Sequence, residues 1–230
     1  MTDNSLEDAF RRICASEAPL NERLSSFSEA VRQFGRPFAE VYDDLVERIR
    51  SGDAGAAAPK PGEVMPQFLL PDGNNRLVAL NDLLKDGPAI ISFNRGQWCE
   101  YCLIELAAFR EALNEFARGG ARVASIMPET HNFISQMDHH EAFPVLSDID
   151  NGYALNLGLV IWLGEEVRQL YLEHGLHLEK YNGNDTLFLP IPATFVVGTD
   201  GRIVDRYVDP DFRNRREIAD ILAALDRGRA

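Results

Sequence analysis

The stretch that decides the fold is Phe93-Asn94-Arg95-Gly96-Gln97-Trp98-Cys99-Glu100-Tyr101-Cys102. Residues 88–93 are a run of β-formers, and the residues after Cys99 have the spacing of an amphipathic helix. The cysteine pair is therefore predicted where a buried strand turns into a helix N-terminus. Unpaired N–H groups and the positive end of the helix dipole favour a thiolate there. Cys102, one helical turn on, is predicted to attack the sulfur of Cys99 once Cys99 has reacted.

Two other interpretations of the cysteine pair stay open. A C-x-x-C can be half of a zinc site, but Cys14 is the only other cysteine and the histidines lack the spacing of a compact finger. These histidines are His131, His139, His140, His174 and His177. The pair could also be two buried, inert thiols, since free cysteine behaves as a small hydrophobe. The flanking Arg95, Trp98 and Tyr101 favour a reactive pair, and neither a metal nor a cofactor is predicted.

Four further motifs follow one another along the chain. They are Gly62-Glu63-Val64-Met65-Pro66-Gln67-Phe68, Phe143-Pro144-Val145-Leu146-Ser147-Asp148, Leu189-Pro190-Ile191-Pro192-Ala193-Thr194-Phe195 and Val208-Asp209-Pro210-Asp211-Phe212. With the cysteine segment, which resembles F-Y-R-G-x-W-C-P-Y-C, they are similar to peroxiredoxin-like proteins of the alkyl hydroperoxide reductase and thiol-specific antioxidant family. The resemblance implies a thioredoxin-like α/β fold, with a central mixed β-sheet flanked by helices.

The composition limits the partners that the chain can have. It has 230 residues, a formal net charge of -13 and a pI near 4.8, so nucleic acid and anionic membranes are predicted not to be partners. The N-terminus lacks the features of a signal peptide, and no apolar run reaches the ~18 residues of a membrane span. A cytoplasmic protein is therefore predicted, in which a C-x-x-C is more often catalytic or metal-binding than a structural disulfide.

The chain is predicted to have two parts, an N-terminal helical extension at 1–58 and a thioredoxin-like domain at 59–230. In the first part, apolar residues recur at helical spacing from Leu24 to Ile49, interrupted at Gly35-Arg36-Pro37. Such an apolar face needs a cover, either the parent domain or a second subunit in a homodimer. The small-residue and proline stretch 51–62 marks the boundary.

The second part reads as alternating strands and helices. A hairpin is predicted around residues 71–75, and strands at 88–93 and 122–127 form a parallel βαβ unit around the helix that follows Cys99. A second hairpin at 194–208 and a helix at 215–225 end the chain. Residues 160–189 have the weakest secondary-structure pattern of the chain. They are predicted to form a wall of the active-site cleft.

The residue types and the resemblance together predict a role for each residue of the site. Cys99 attacks a hydroperoxide or a disulfide, Cys102 resolves the product to an intramolecular disulfide, and an external dithiol, thioredoxin-like or glutathione-linked, restores both thiols. Arg95 is expected to pair with the thiolate or with a peroxide oxygen, as the only nearby cation. The residues assigned to substrate binding are Trp98, Tyr101, Gly96, Pro192 and Thr194. The Ile191–Pro192 peptide bond is expected to be cis.

Four positions depart from the patterns of related proteins. Gly96 and Ser92 stand where the better-known peroxiredoxins have a hydroxyl residue and a proline, and their helper arginine aligns with Pro192. Glu100 replaces the family's proline between the cysteines and is predicted to raise the pKa of Cys99 by charge repulsion. The prediction is a thiol-dependent oxidoreductase; the alternatives are a redox-sensing or binding protein with little turnover, or a zinc-binding protein.

Overall fold

The structure is a computed structural model that describes residues 5–137 and 142–228. His139 and His140, which the sequence places in a histidine cluster, lie outside these residues. The helices are α1 (Leu6–Cys14), α2 (Leu20–Phe34), α3 (Arg36–Ser51), α4 (Leu80–Leu84), α5 (Glu100–Glu111), α6 (Leu113–Arg118), α7 (His131–Ile134), α8 (Gly152–Asn156), α9 (Glu165–Glu173), α10 (Leu178–Asn182) and α11 (Ile218–Arg227). The strands are β1 (Leu69–Pro71), β2 (Leu77–Ala79), β3 (Ala89–Phe93), β4 (Arg122–Met127), β5 (Val145–Ser147), β6 (Val160–Trp162), β7 (Phe188–Pro190), β8 (Ala193–Val197) and β9 (Ile203–Val208).

A five-stranded mixed sheet with the order β5-β4-β3-β8-β9 forms the centre of the fold. The first three strands run parallel, and β8 and β9 are antiparallel to their neighbours. All five residues of β3 are buried because the strand is paired on both sides and covered on both faces. The predicted thioredoxin-like sheet is confirmed, as are both hairpins and the βαβ unit that carries the cysteines.

The stretch from residue 160 to β7 contains an additional two-stranded antiparallel sheet that the sequence did not predict. Its strands β6 and β7 pair antiparallel, with Trp162 opposite Phe188, and α9 and α10 lie between them. The chain then passes from β7 into β8 through Ile191 and Pro192. The predicted cis bond at this place is wrong, because no cis peptide bond occurs among the described residues. The Ile191 N–H bonds to the Leu159 carbonyl (2.6 Å) and Ala193 pairs with Phe93, so the chain continues extended, as a trans proline bond allows.

The helices α2 and α3 lie against α5 and α9 of the same chain. Leu24, Phe27 and Val31 of α2 are buried in one apolar cluster with Cys99 and Cys102, whereas Phe34 at the end of α2 is 37% exposed. The segment that follows α3 is bonded to the central sheet, since Arg206 of β9 donates a hydrogen bond to the Gly55 carbonyl (2.6 Å). The described parts of the chain contain no helix with the length and apolar character needed to cross a membrane.

Candidate active site

The cysteines lie on a short loop between the end of β3 and the start of α5. Gly96 has a φ of 141°, which disfavours other residues, and a Cβ there would lie 2.5 Å from both Glu129 Oε1 and Trp98 Nε1. The Cys99 N–H donates to the Gly96 carbonyl (3.2 Å), and the Cys99 carbonyl accepts from the N–H groups of Cys102 (2.9 Å) and Leu103 (3.0 Å). Cys99 is therefore the N-cap residue of α5, where the helix dipole favours an anion.

The two thiols are free, buried and electrostatically different. Cys99 is 3% exposed and Cys102 is fully buried. Burial would raise the pKa of Cys99, but the hydrogen bond from the Cys102 thiol and the charges of Arg95 and Arg215 lower it to about 6. Burial, together with the hydrogen bond to Cys99 and its negative charge, raises the pKa of Cys102 well above the ordinary range. At neutral pH the pair is thus one thiolate and one thiol.

Arg95 occupies an aromatic enclosure beside the cysteines. Its side chain is 1% exposed, Nη2 donates to the Tyr171 hydroxyl (2.7 Å), and the guanidinium lies 4.0 Å from the Phe212 ring centroid and 5.0 Å from that of Trp98. The Tyr42 hydroxyl donates in turn to Tyr171 (3.3 Å). No carboxylate in the described ranges forms an ion pair with Arg95, so the negative partner of this buried cation is the Cys99 thiolate.

A second cation reaches the cysteines, and the expectation that Arg95 is the only one nearby is wrong. Arg215 Nη2 donates to Cys102 Sγ (3.4 Å), and Arg215 Nε pairs with Glu105 Oε2 at 3.0 Å. All three side chains are at most 2% exposed. Arg215 precedes α11 in the sequence, and nothing in its neighbourhood signals this role. Glu105 could have been noticed as a carboxylate among apolar residues one turn after Cys102.

Glu129 is a third buried group that the sequence analysis missed. It follows β4 at the carboxyl end of the sheet, where α/β proteins commonly place functional side chains, so its position carried a signal. Its Oε1 accepts the Gln97 N–H (2.9 Å), and Oε2 has no partner. Burial raises its pKa to about 8, despite that hydrogen bond. It therefore carries a proton at neutral pH and supports the loop ahead of Cys99.

The residues predicted for substrate binding lie on different sides of the cysteine pair. Trp98 is half-buried beside Arg95, and Tyr101 is turned inward, with its hydroxyl 3.2 Å from Ser28 of α2 and its ring 5.0 Å from Phe27. Thr194 lies opposite Ser92 across β8 and β3, with its buried Oγ1 unpaired. Pro192 is buried ahead of β8. Their part in binding substrate stays a prediction.

Glu100 lies in the first turn of α5, and burial raises the pKa of its carboxyl. The main influences on the pKa of Cys99 are burial, Cys102, Arg95 and Arg215, and the predicted influence of Glu100 remains to be tested. The described residues contain no group of three or more histidine, cysteine, aspartate or glutamate side chains arranged to hold a metal ion.

The model of the AhpC/TSA family matches residues 61–206, and this range contains the β3–α5 loop with both cysteines. The chain belongs to the AhpC/TSA family. A Mycobacterium tuberculosis protein named as a peroxiredoxin is 28% identical over 146 residues, which cover 63% of this chain and 82% of that protein. The family and this relative support a thiol peroxidase enzyme, as the sequence predicts.

Solved structures agree on the fold. Peroxidoxin BcpB of Mycobacterium tuberculosis superposes with a TM-score of 0.55 at 23% identity, covering 73% of this chain and 97% of that chain. AhpC of the same organism gives a TM-score of 0.55 at 15% identity and covers 75% and 94% of the two chains. In this chain the extension α1–α3, Tyr171 and Arg215 surround the cysteines, and of these only Tyr171 lies within the range that the family model matches.

Proposed function

We propose that the chain is a cytoplasmic thiol peroxidase in which Cys99 attacks a hydroperoxide and Cys102 resolves the product. The observation that carries this proposal is the asymmetry of the pair, with a low-pKa Cys99 at a helix N-terminus and a protonated Cys102 one turn on. The same asymmetry suits attack on a disulfide, which is the second substrate class we propose.

The proposed reaction has three steps. The Cys99 thiolate attacks the terminal oxygen of the hydroperoxide, the O–O bond breaks, and the alkoxide takes a proton to leave as an alcohol, which yields Cys99 sulfenic acid. The Cys102 sulfur then attacks the Cys99 sulfur and water leaves, so that the two cysteines form a disulfide. An external dithiol, thioredoxin-like or glutathione-linked, reduces this disulfide and becomes oxidised.

Arg95 supports the first step by stabilising the thiolate. Because the guanidinium is enclosed by aromatic rings, its charge is poorly screened and favours the anionic sulfur strongly. Cys99 is nearly buried, so a compact hydroperoxide fits the closed site better than a protein disulfide. This burial supports peroxidation as the leading activity.

A redox-sensing role is the second candidate, and one observation favours it. The cysteines share an apolar cluster with α2 and α3, so a change at the cysteines acts directly on the N-terminal helices. A sensor would be oxidised once and re-reduced slowly. A homodimer through these helices stays a prediction that light scattering of the full chain can test.

The proposal is tested by following single turnover with peroxide and analysing the thiols by mass spectrometry. Wild type should form a Cys99–Cys102 disulfide, Cys99→Ser should not react, and Cys102→Ser should consume one peroxide and retain a trappable sulfenic acid. Cys14→Ser is the matched control and should behave as wild type. If Cys102→Ser is inert and Cys99→Ser still consumes peroxide, the two roles are reversed. Steady turnover with a thioredoxin system separates the enzyme from the sensor.

A further inference from the structure

Arg215 joins Cys102 and Glu105 through one edge of its guanidinium. Nη2 lies 3.4 Å from Cys102 Sγ, and the adjacent Nε lies 3.0 Å from Glu105 Oε2. Two acceptors on neighbouring nitrogens of one planar guanidinium must lie side by side. The other nitrogen, Nη1, is held by the carbonyls of Phe212 and Asn214 (2.9 Å to Asn214). The arginine is thus fixed on the loop before α11, and it holds the thiol and the carboxylate along the same edge of its guanidinium.

One carboxyl oxygen of Glu105 has no hydrogen-bond partner. Oε2 accepts from Arg215 and from Ser92 Oγ (3.3 Å), whereas Oε1 is buried without a hydrogen bond. Both Glu105 and Cys102 are on α5, three residues apart, so they lie on the same face of the helix. A buried carboxylate that shares an arginine with a buried thiol, and that has one oxygen without a hydrogen bond, is able to accept a proton.

We propose that Glu105 exchanges the proton of Cys102 during the disulfide cycle, and that Arg215 is the positioning residue that holds the two groups together. The inference rests on the proposed function, because it concerns the resolving step of that cycle. It assigns roles to two residues, of which Arg215 lies outside the range matched by the family model.

The resolving step removes one proton from Cys102, and the Glu105 carboxylate offers an acceptor for it. When Cys102 attacks Cys99 sulfenic acid, the new S–S bond forms, the S–O bond breaks, and hydroxide leaves and takes a proton from solvent to become water. The proton of Cys102 passes to the Glu105 carboxylate, which later releases it. During re-reduction, one thiolate of the external dithiol attacks the Cys99 sulfur and forms a mixed disulfide, the Cys99–Cys102 bond breaks, and Cys102 leaves as a thiolate that takes a proton from the Glu105 carboxyl. The second thiol of the dithiol then breaks the mixed disulfide and releases Cys99.

The hydrogen-bond donors that contact Cys102 cannot accept its proton. Arg215 stays protonated, and the Arg95 backbone N–H, 3.4 Å from Sγ, is only a donor. The two other carboxyls that its charge influences, Glu100 and Glu129, form no ion pair with Arg215 among the described residues. The groups that act on Glu105 are Arg215 from the loop before α11 and Cys102 from its own helix, with uncharged Ser92 on β3. The charge of Arg215 also acts on Tyr207 of β9. Burial nevertheless raises the pKa of Tyr207 to about 12, so this hydroxyl stays neutral.

The charge state of Glu105 suits proton exchange near neutral pH. Burial raises its pKa to about 7, although the Arg215 charge opposes this shift. The carboxylate needed to accept a proton is therefore populated as the pH rises through about 7, and the carboxyl needed to donate one is populated below it. Resolution should accelerate with rising pH around this value, and proton delivery to departing Cys102 should weaken.

The test measures resolution separately from peroxide reduction, by rapid quench between pH 5.5 and 8.5. In Glu105→Gln, Cys99 sulfenic acid should form at the wild-type rate when the two proteins are compared at the same fraction of Cys99 thiolate. Closure of the disulfide should be about tenfold slower or more, and its rate should lack the inflection near pH 7. Glu105→Asp keeps a carboxyl and should keep a pH inflection, which provides a second measurement if the glutamine variant does not fold. Arg215→Lys should slow resolution while retaining some pH dependence.

Glu115→Gln, an exposed acid on α6, is the matched control and should leave both steps unchanged. The inference is overturned if Glu105→Gln closes the disulfide with the rate and pH profile of wild type, or if Glu105→Asp and wild type show no inflection. If wild type does not consume peroxide, or if Cys102→Ser retains no sulfenic acid after consuming it, the proposed function itself is contradicted, so that the two failures are distinguishable.

Discussion

At the level of single residues, two buried arginines act on the cysteine pair. Among the described residues Arg95 forms no ion pair with a carboxylate and lies among aromatic rings and the Tyr171 hydroxyl, while Arg215 contacts Cys102 and pairs with Glu105. A buried cation without a carboxylate is costly unless another anion compensates for it. The thiolate is that anion. The attraction between it and Arg95 lowers the pKa of Cys99 and offsets the cost of burying Arg95.

Arg95→Gln should therefore raise the pKa of Cys99 from about 6 by roughly 1 to 3 units, as expected when an opposite charge within a few ångströms is removed. The rate of alkylation by iodoacetamide, measured against pH, reports this value directly. Alkylation at pH 6 should fall by about tenfold or more. Arg110→Gln, on the far end of α5, is the control. An unchanged midpoint in Arg95→Gln would mean that Cys102 and the helix dipole suffice to hold the thiolate.

The residue-level predictions from sequence succeeded where the signal was local. The strand-turn-helix context of Cys99 and Cys102 could be read directly, because both flanking elements have clear periodicity. Arg215 and Tyr171 reach the site over 76 or more positions along the chain, and no local pattern encodes such a contact. Pro192 was assigned a cis bond from resemblance alone, whereas the pairing of Ile191 and Ala193 favours the extended trans chain.

At the level of elements, α2 covers the face of α5 that carries Tyr101. Phe27 is 1% exposed and packs edge-on against the rings of Tyr101 (5.0 Å) and Phe10 (6.0 Å). The sequence predicted the apolar face of this helix but left its cover open, because spacing shows which residues turn inward and not what they meet. The sequence did not predict the two-stranded sheet β6–β7, because each strand has three residues, too few for a period-2 signal.

Phe27→Ala should lower the free energy of unfolding by about 3 to 5 kcal/mol, since it removes a fully buried ring from a packed interface. Urea unfolding followed by circular dichroism measures this change. Phe34→Ala, in the same helix but 37% exposed, is the matched control and should cost less than about 1 kcal/mol beyond the small change in helix propensity. Equal losses in both variants would show that α2 contributes through helix formation alone rather than through its contact with α5.

At the level of the whole molecule, an acidic chain buries two arginines and two carboxyls at its site. The chain has a formal net charge of -13, yet its core holds Arg95 and Arg215 together with the carboxyls of Glu105 and Glu129. Burial raises the pKa of both carboxyls, to about 7 and about 8. The folded protein therefore holds protons that the unfolded chain releases near its ordinary carboxyl pKa of about 4.5. These groups should make the fold less stable as the pH rises from about 4.5 to 8.

Cys99 has the opposite effect, because its folded pKa of about 6 lies below the ordinary value and stability rises with pH between them. A Cys99→Ser background removes this contribution and isolates the carboxyls. In it, Glu129→Gln should change the free energy of unfolding little at pH 5, where the folded carboxyl is already protonated and glutamine replaces it closely. At pH 8 the same change should stabilise the protein by on the order of 1 to 4 kcal/mol, since each pKa unit corresponds to about 1.4 kcal/mol.

Chemical unfolding at pH 5, 6.5 and 8 gives the measurement, with exposed Glu115→Gln in the same background as the control. Glutamine keeps an oxygen to accept the Gln97 N–H, so that loss of this hydrogen bond does not confound the comparison. A difference between Glu129→Gln and its parent that is the same at all three pH values would contradict the buried, protonated carboxyl. A difference that grows with pH would show that Glu129 gives up stability at alkaline pH to hold the loop ahead of Cys99.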